Sequence, residues 1–99
     1  MIVVIGSVTI REESQAEALQ HSKVHVSRSR LEPGCISHDV TIDADNPNRL
    51  VFVERWQTME DLEQHFQVPE SSEFVALIAK LATIAPSMQL YISEEVKRH

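Results

Sequence analysis

Glycine and cysteine are nearly missing from this chain, which has two of the first and one of the second. A single cysteine excludes an intrachain disulfide framework and a thiolate-rich metal site. Two glycines cannot build a glycine-rich phosphate loop, and no nucleotide fingerprint occurs anywhere. Aromatic residues are only 5% of the chain, so the apolar content is mostly valine, isoleucine, leucine and alanine. Basic residues are also sparse: 9 Lys and Arg against 15 Asp and Glu give a net charge of −6. That balance excludes nucleic acid, whose phosphates need a basic face, and leaves no cluster suited to an anionic membrane. The apolar opening MIVVIGSVTI is too short to span a bilayer. No basic region precedes it, so it does not read as a secretory signal, and cytoplasmic residence is the expectation.

What the chain does have is periodicity. Residues 2–10 are rich in Val, Ile and Thr and read as a strand. Residues 13–31 carry a thin apolar stripe (Ala16, Leu19, Val26) behind a capping-compatible Ser14 and read as a helix. CISHDVTID, residues 35–43, alternates as a half-buried strand, ADNPN marks a turn, and RLVFVERWQ, residues 49–57, is the next strand. Thr58 opens a helix, TMEDLEQHF, with acidic residues where the helix dipole favours them. Pro69 interrupts it, SSEFVALIAKLATIA continues as helix, Pro86 stops that, and SMQLYISEEV closes as a strand. The order β-α-β-β-α-β is the split-βαβ, ferredoxin-like pattern of an α+β domain with an antiparallel sheet, one domain over residues 1–99.

Two local features matter beyond the order. Ile2 to Ile5 and Leu50 to Val53 are apolar on both parities, and in this topology they are the central strands. Strands of that kind are covered on both faces, whereas the helices cover one, so a second copy of the chain is expected on the other. The second feature is the joint SRLEPGC. Pro33 lacks a backbone N–H and drives Glu32 out of the helix, and Gly34 can turn the chain through positive φ. Cys35 then reads as a small, unreactive residue buried at the start of a strand.

His65 is the leading candidate for chemistry. It lies one helical turn from the core-facing Leu62, so its imidazole faces the space between helices and sheet. An imidazole titrates near neutrality and suits general-base work; the structural alternative is a histidine bonded to a backbone carbonyl. Trp56 shares a strand face with Glu54 and Phe52 and offers a flat surface for an aromatic ligand, unless it is simply core. Glu54 among apolar neighbours needs a partner, expected to be Arg49 or Arg28. His38, between Ile36 and Val40, faces a pocket or is a bonded structural histidine, and Tyr91 can bring a hydroxyl to the same space. His21 and His25 stand at i, i+4, but HSKVH lacks the glutamate of a zinc-protease helix and shows no third ligand. The expectation is a solvated helix face and no metal.

SRLEPGC leading into a strand, followed by FVERWQTMEDLEQHF, resembles the antibiotic biosynthesis monooxygenase domain over roughly residues 2–93. The shared features are the Glu-Pro-Gly-Cys joint, the Glu-x-Trp strand end and the helical histidine. The resemblance implies a homodimeric α/β barrel of two ferredoxin-like subunits. It also implies a cofactor-independent oxygenase acting with O₂ on an electron-rich phenol, quinol or polyketide-like aromatic. His65 would be the base, and Trp56, Tyr91, His38 and Phe66 would position the substrate. Haem-degrading relatives use an axial histidine where Ile78 stands here, and an aliphatic side chain cannot ligate iron. Two other classes stay open: an isomerase of a small keto compound using the same His65, and a non-catalytic, stress-related binding module.

Overall fold

Alternation between apolar and polar positions dictates strands that bury one face, and the helices supply what they bury against. A computed structural model describes residues 1–98. Its elements are β1 (Ile2–Ile10), a short 3₁₀ turn (Glu12–Ser14), α1 (Gln15–Ser29), β2 (Cys35–Asp43), β3 (Asn46–Trp56), α2 (Met59–Gln67), α3 (Pro69–Leu81) and β4 (Ala82–Ile92). The four strands form one sheet in the order β2-β3-β1-β4, with every neighbouring pair antiparallel. This is the α+β, ferredoxin-like fold.

Val8, Ile10, Leu50 and Phe52 on one sheet face pack against Ala18 and Val26 of α1 and Ile78 and Leu81 of α3. A second cluster joins Ile2, Val4 and Trp56 to Leu62 of α2, with Cys35 half-buried at its edge. Burial, and the nearby Glu32 and Glu54 carboxylates, raise the Cys35 pKa, so the sulfur stays a thiol. The opposite sheet face is uncovered among the described residues: Ile5 is 41% exposed, Ile84 65% and Tyr91 49%.

Besides an earlier start of β3, at Asn46 inside the expected ADNPN turn, two features differ from the sequence reading. ATIAP is strand, not the end of a helix: α3 stops at Leu81, and Pro86 lies inside β4. That is tolerable because β4 is an edge strand and its register against β1 shifts between Ser7 and Thr9, where a missing N–H costs no ladder bond. The second difference is in β2, where Cys35 pairs with Trp56 and Ser37 with Arg55. Ile36 is therefore the extra residue of a bulge, which puts it 50% exposed while both Cys35 and His38 face inward.

Thr58 caps α2 by accepting the Asp61 N–H, and Pro69 occupies the first turn of α3 after the extended Val68. The joint between α1 and β2 is tied to the start of α2. Gly34 has φ +80°, its carbonyl accepts the Gln57 N–H at 2.8 Å, and a Cβ there would sit 2.1 Å from the Asp61 carboxyl. Gly34→Ala should therefore cost more than about 2 kcal/mol, through strained φ and the clash together. For a domain of this size that is on the order of 10 °C in Tm, readable by calorimetry. An unchanged melting curve would show that the joint does not need glycine.

Candidate active site

α1, β2 and α2 each contribute one histidine to the same buried place. His25, His38 and His65 are 6%, 1% and 4% exposed, and their potential ligand atoms all lie within 4.8 Å of one another. They form the polar end of a cavity of about 450 Å³ whose remaining wall is largely apolar, with Val4, Phe52, Phe66, Phe74 and Ile78 among its lining.

His65 is the best-supported member. Its Nδ1 lies 2.8 Å from Glu32 Oε1. A carboxylate only accepts, so Nδ1 donates and the neutral ring keeps its lone pair on Nε2. Glu32 owes its position to the Pro33-Gly34 turn. Behind the ring, Trp56 sits 4.8 Å away, centroid to centroid. Trp56 has no exposed surface and does not line the cavity; it packs with Leu62 and donates its indole N–H to Glu54 at 3.0 Å. It supports the site and cannot stack a substrate.

His25 has the opposite polarity. Arg28 donates to its Nδ1 at 2.9 Å, and because a guanidinium has no acceptor, the ring's own proton belongs on Nε2. Arg28 also donates to Ser71 Oγ at 3.0 Å. Phe74 stacks flat on the ring, 4.1 Å between centroids and 6° between planes. Burial and the neighbouring His38, His65 and Arg28 lower the His25 pKa to about 3. The expectation of a solvated histidine fails here: His25 is core, while His21 lies outside the cluster.

Glu54 finds neither Arg49 nor Arg28, the partners expected from sequence. Arg49 pairs with Asp43 at 2.9 Å. Glu54 Oε1 instead lies 3.2 Å from His38 Nε2 and 3.9 Å from His65 Nε2. Burial alone would raise its pKa, but the His38 contact and the Trp56 N–H outweigh that and hold the carboxyl below its usual range. The His38 contact is within ion-pair reach but off the line of a hydrogen bond, and neither ring nitrogen of His38 has a hydrogen-bond partner among the described residues.

His38 and Phe66 line the cavity. Tyr91 does not. It pairs with Val3 and so projects from the uncovered sheet face, while Val4 and its partners face the helices. Glu32 and His25 are the additions that sequence reading missed. The advance signal for Glu32 was its place in the Glu-Pro-Gly-Cys joint.

The His25 environment has a pH consequence. Unfolded, the ring takes a proton below its ordinary value of 6.5; folded, it resists until about 3. Between those values the unfolded state binds more protons, so stability falls as pH falls through the window and is fully present above it. Urea unfolding of parent and His25→Gln proteins should show a steeper loss for the parent between about pH 6.5 and 4. Parallel pH profiles would mean that His25 is solvated.

Known proteins place this architecture. The chain is 37% identical over 87 residues to an uncharacterized protein of Synechocystis sp., a match covering 84% of this chain and 59% of that relative's length. It superposes on an antibiotic biosynthesis monooxygenase crystal structure with TM-score 0.88 and 25% identity, covering 96% of this chain and all of that one. A candidate monooxygenase of the same kind from Deinococcus radiodurans shares the fold at TM-score 0.94 and 19% identity, covering 100% of this chain and 98% of that one. A conserved protein of unknown function from Bacteroides thetaiotaomicron also shares it, at TM-score 0.85 and 23% identity, covering 91% of this chain and 94% of that one. The family description for antibiotic biosynthesis monooxygenase matches residues 1–77, and the chain belongs to that family.

Proposed function

We propose that the protein is a cofactor-independent monooxygenase that oxidises an electron-rich phenol or quinol with O₂. The observation that carries this reading is the His65–Glu32 pair at the polar end of an otherwise apolar cavity. The substrate supplies the electrons. His65 Nε2 takes the phenolic proton, and Glu32 stabilises the imidazolium that forms. The phenolate passes one electron to O₂, and the resulting pair recombines at a ring carbon to give a peroxide. The proton held on His65 returns to the distal oxygen, the ring carbon loses its hydrogen, and the O–O bond breaks. Phenol and O₂ thus give quinone and water, with atoms and electrons balanced. His25 contributes a neutral Nε2–H as donor to the developing oxyanion. Phe66, 38% exposed on the cavity wall, and His38 contact the ring.

The functional unit we propose is a homodimer. Ile5, Ile84 and Tyr91 lie on the sheet face that the helices leave uncovered, and a second copy is the partner that makes a closed barrel of two such sheets. Light scattering at micromolar concentration should give about twice the 11.3 kDa chain mass. A monomer with native circular dichroism would remove the barrel. The lone unpaired Cys35 fits residence in the reducing cytoplasm.

Oxygen uptake on a panel of hydroquinones, corrected for autoxidation, tests the chemistry. His65→Ala should lower the rate about 10²–10⁴-fold, the range for a positioned proton acceptor. Glu32→Gln, which keeps the shape but loses the charge, should lower kcat more than it raises KM and shift the pH–rate profile. Phe66→Ala should do the reverse, raising KM more than it lowers kcat. If His65→Ala folds and oxidises the best substrate at the parent rate, His65 is structural and a binding module becomes the better reading.

A further inference from the structure

We propose that His38, His65 and Glu54 form a binding site for a divalent transition metal, of the class to which Zn²⁺ belongs. Two imidazoles and a carboxylate are the donor set that such ions take. Ca²⁺ and Mg²⁺ prefer all-oxygen sites, and Cu(I) prefers sulfur. Bonds of about 2.0–2.1 Å in a tetrahedron hold donor atoms roughly 3.3 Å apart. His38 Nε2 and Glu54 Oε1 already stand at 3.2 Å, and His65 Nε2 is 3.9 Å from the same oxygen, roughly 0.6 Å beyond the tetrahedral spacing.

Three independent features point the same way. His38 is 1% exposed, yet both its ring nitrogens lack a hydrogen-bond partner among the described residues. An unpaired buried nitrogen is costly, and a lone pair on a metal removes that cost for Nε2. The two other buried atoms without hydrogen bonds, Arg28 Nε and Glu32 Oε2, face each other at 3.9 Å as an ion pair, and His38 Nε2 faces Glu54 Oε1 at 3.2 Å, so among the described residues only His38 Nδ1 has no polar partner at all. His65 donates its other ring nitrogen to the Glu32 carboxylate, the arrangement that fixes the tautomer of metal-bound histidines and strengthens them as ligands. Glu54 is oriented by the Trp56 indole at 3.0 Å.

The obvious third imidazole is not a ligand. His25 is near enough to His38 and His65, but Arg28 occupies its Nδ1 as a donor and so keeps a proton on Nε2. Ligation by His25 would require that hydrogen bond to break. The open side of the ion faces the cavity, which supplies both an entry path and room for water or a substrate oxygen.

A bound ion takes the lone pair of His65 Nε2, the same pair that the proposed base needs. Metal binding therefore silences the cofactor-free chemistry, a consequence that rests on the function proposed above; the binding itself does not.

Calorimetric titration of the untagged protein with ZnCl₂, with no quinol present, should show one ion per chain with Kd about 1 μM or tighter. His38→Ala and Glu54→Gln should each weaken binding at least about 30-fold, and Glu32→Gln about 10-fold as an outer-shell partner. His25→Gln should stay within about twofold of the parent, because it supplies no ligand bond. Co²⁺ added to the parent should give the intense visible bands of a tetrahedral ion, a readout that needs no variant to fold. Absence of both heat and colour in the parent overturns the site. So does unchanged affinity in His38→Ala, and loss of affinity in His25→Gln would replace this ligand set with the three imidazoles. Oxygen uptake that persists at saturating Zn²⁺ overturns the silencing while leaving the binding result intact.

Discussion

The hydrogen bond from His65 Nδ1 to Glu32 Oε1 is the contact on which the site depends. It joins α2 to the turn that ends α1, and it exists because that turn is so tightly specified. Pro33 prevents α1 from running on, Gly34 adopts a φ that residues with a side chain rarely adopt, and the Asp61 side chain fills the space where a Cβ would be. The Gln57 N–H bond to the Gly34 carbonyl then locks the start of α2 to the same turn. A chain with two glycines thus places one where the backbone must both reverse and admit a neighbouring carboxylate. Local backbone chemistry here becomes functional geometry: with Glu32 fixed, His65 presents a lone pair on a known nitrogen.

Much of this was legible in advance. Strand alternation and the two proline breaks give the element order and the sheet topology, because the energy of burying one face is written at period two or 3.6. His65 is legible for the same reason, through its helical spacing from Leu62. His25 was hidden because a pair at i, i+4 says nothing about which way the helix turns; three serines, Ser22, Ser29 and Ser71, line the buried side of the bundle where apolar residues would have marked it. Two of them, Ser22 and Ser29, satisfy themselves on carbonyls one turn back, at 2.7 Å each. Tyr91 and Trp56 were misplaced for different reasons. Tyr91 depends on the register of an edge strand that contains a bulge. Trp56 has the look of a ligand surface, but its indole N–H finds Glu54 two residues away and both become interior. The partner of Glu54 could not be read at all, since His38 reaches it only across the β2–β3 ladder.

Burying this many ionisable groups in a 99-residue domain opposes folding, and the structure limits the cost by pairing them. Arg28 bridges His25, Ser71 and Glu32; Glu32 holds His65; Trp56 holds Glu54. His38 is the least satisfied of them among the described residues: its Nε2 stands 3.2 Å from Glu54 without a hydrogen bond, and its Nδ1 has no partner. Native interiors rarely leave a buried ring so placed, and groups that stay so concentrate where a protein handles ligands. The cavity wall next to these groups is apolar, so their interactions are poorly screened, which strengthens each of them at the polar end.

That network also divides labour between two chemically identical side chains. Glu32 is an acceptor, so it draws the proton of His65 to Nδ1 and exposes a lone pair; Arg28 is a donor, so it claims the lone pair of His25 and leaves an N–H. With ring centroids 5.4 Å apart, the two histidines offer an acceptor and a donor side by side. A hydroxyl about to ionise needs both in turn, first giving its proton and then receiving a hydrogen bond as an oxyanion. Neither histidine could take its role alone, because an isolated neutral imidazole has no fixed tautomer. The charges behind the rings set it, and this is how one residue type comes to offer a lone pair and an N–H within a single cavity.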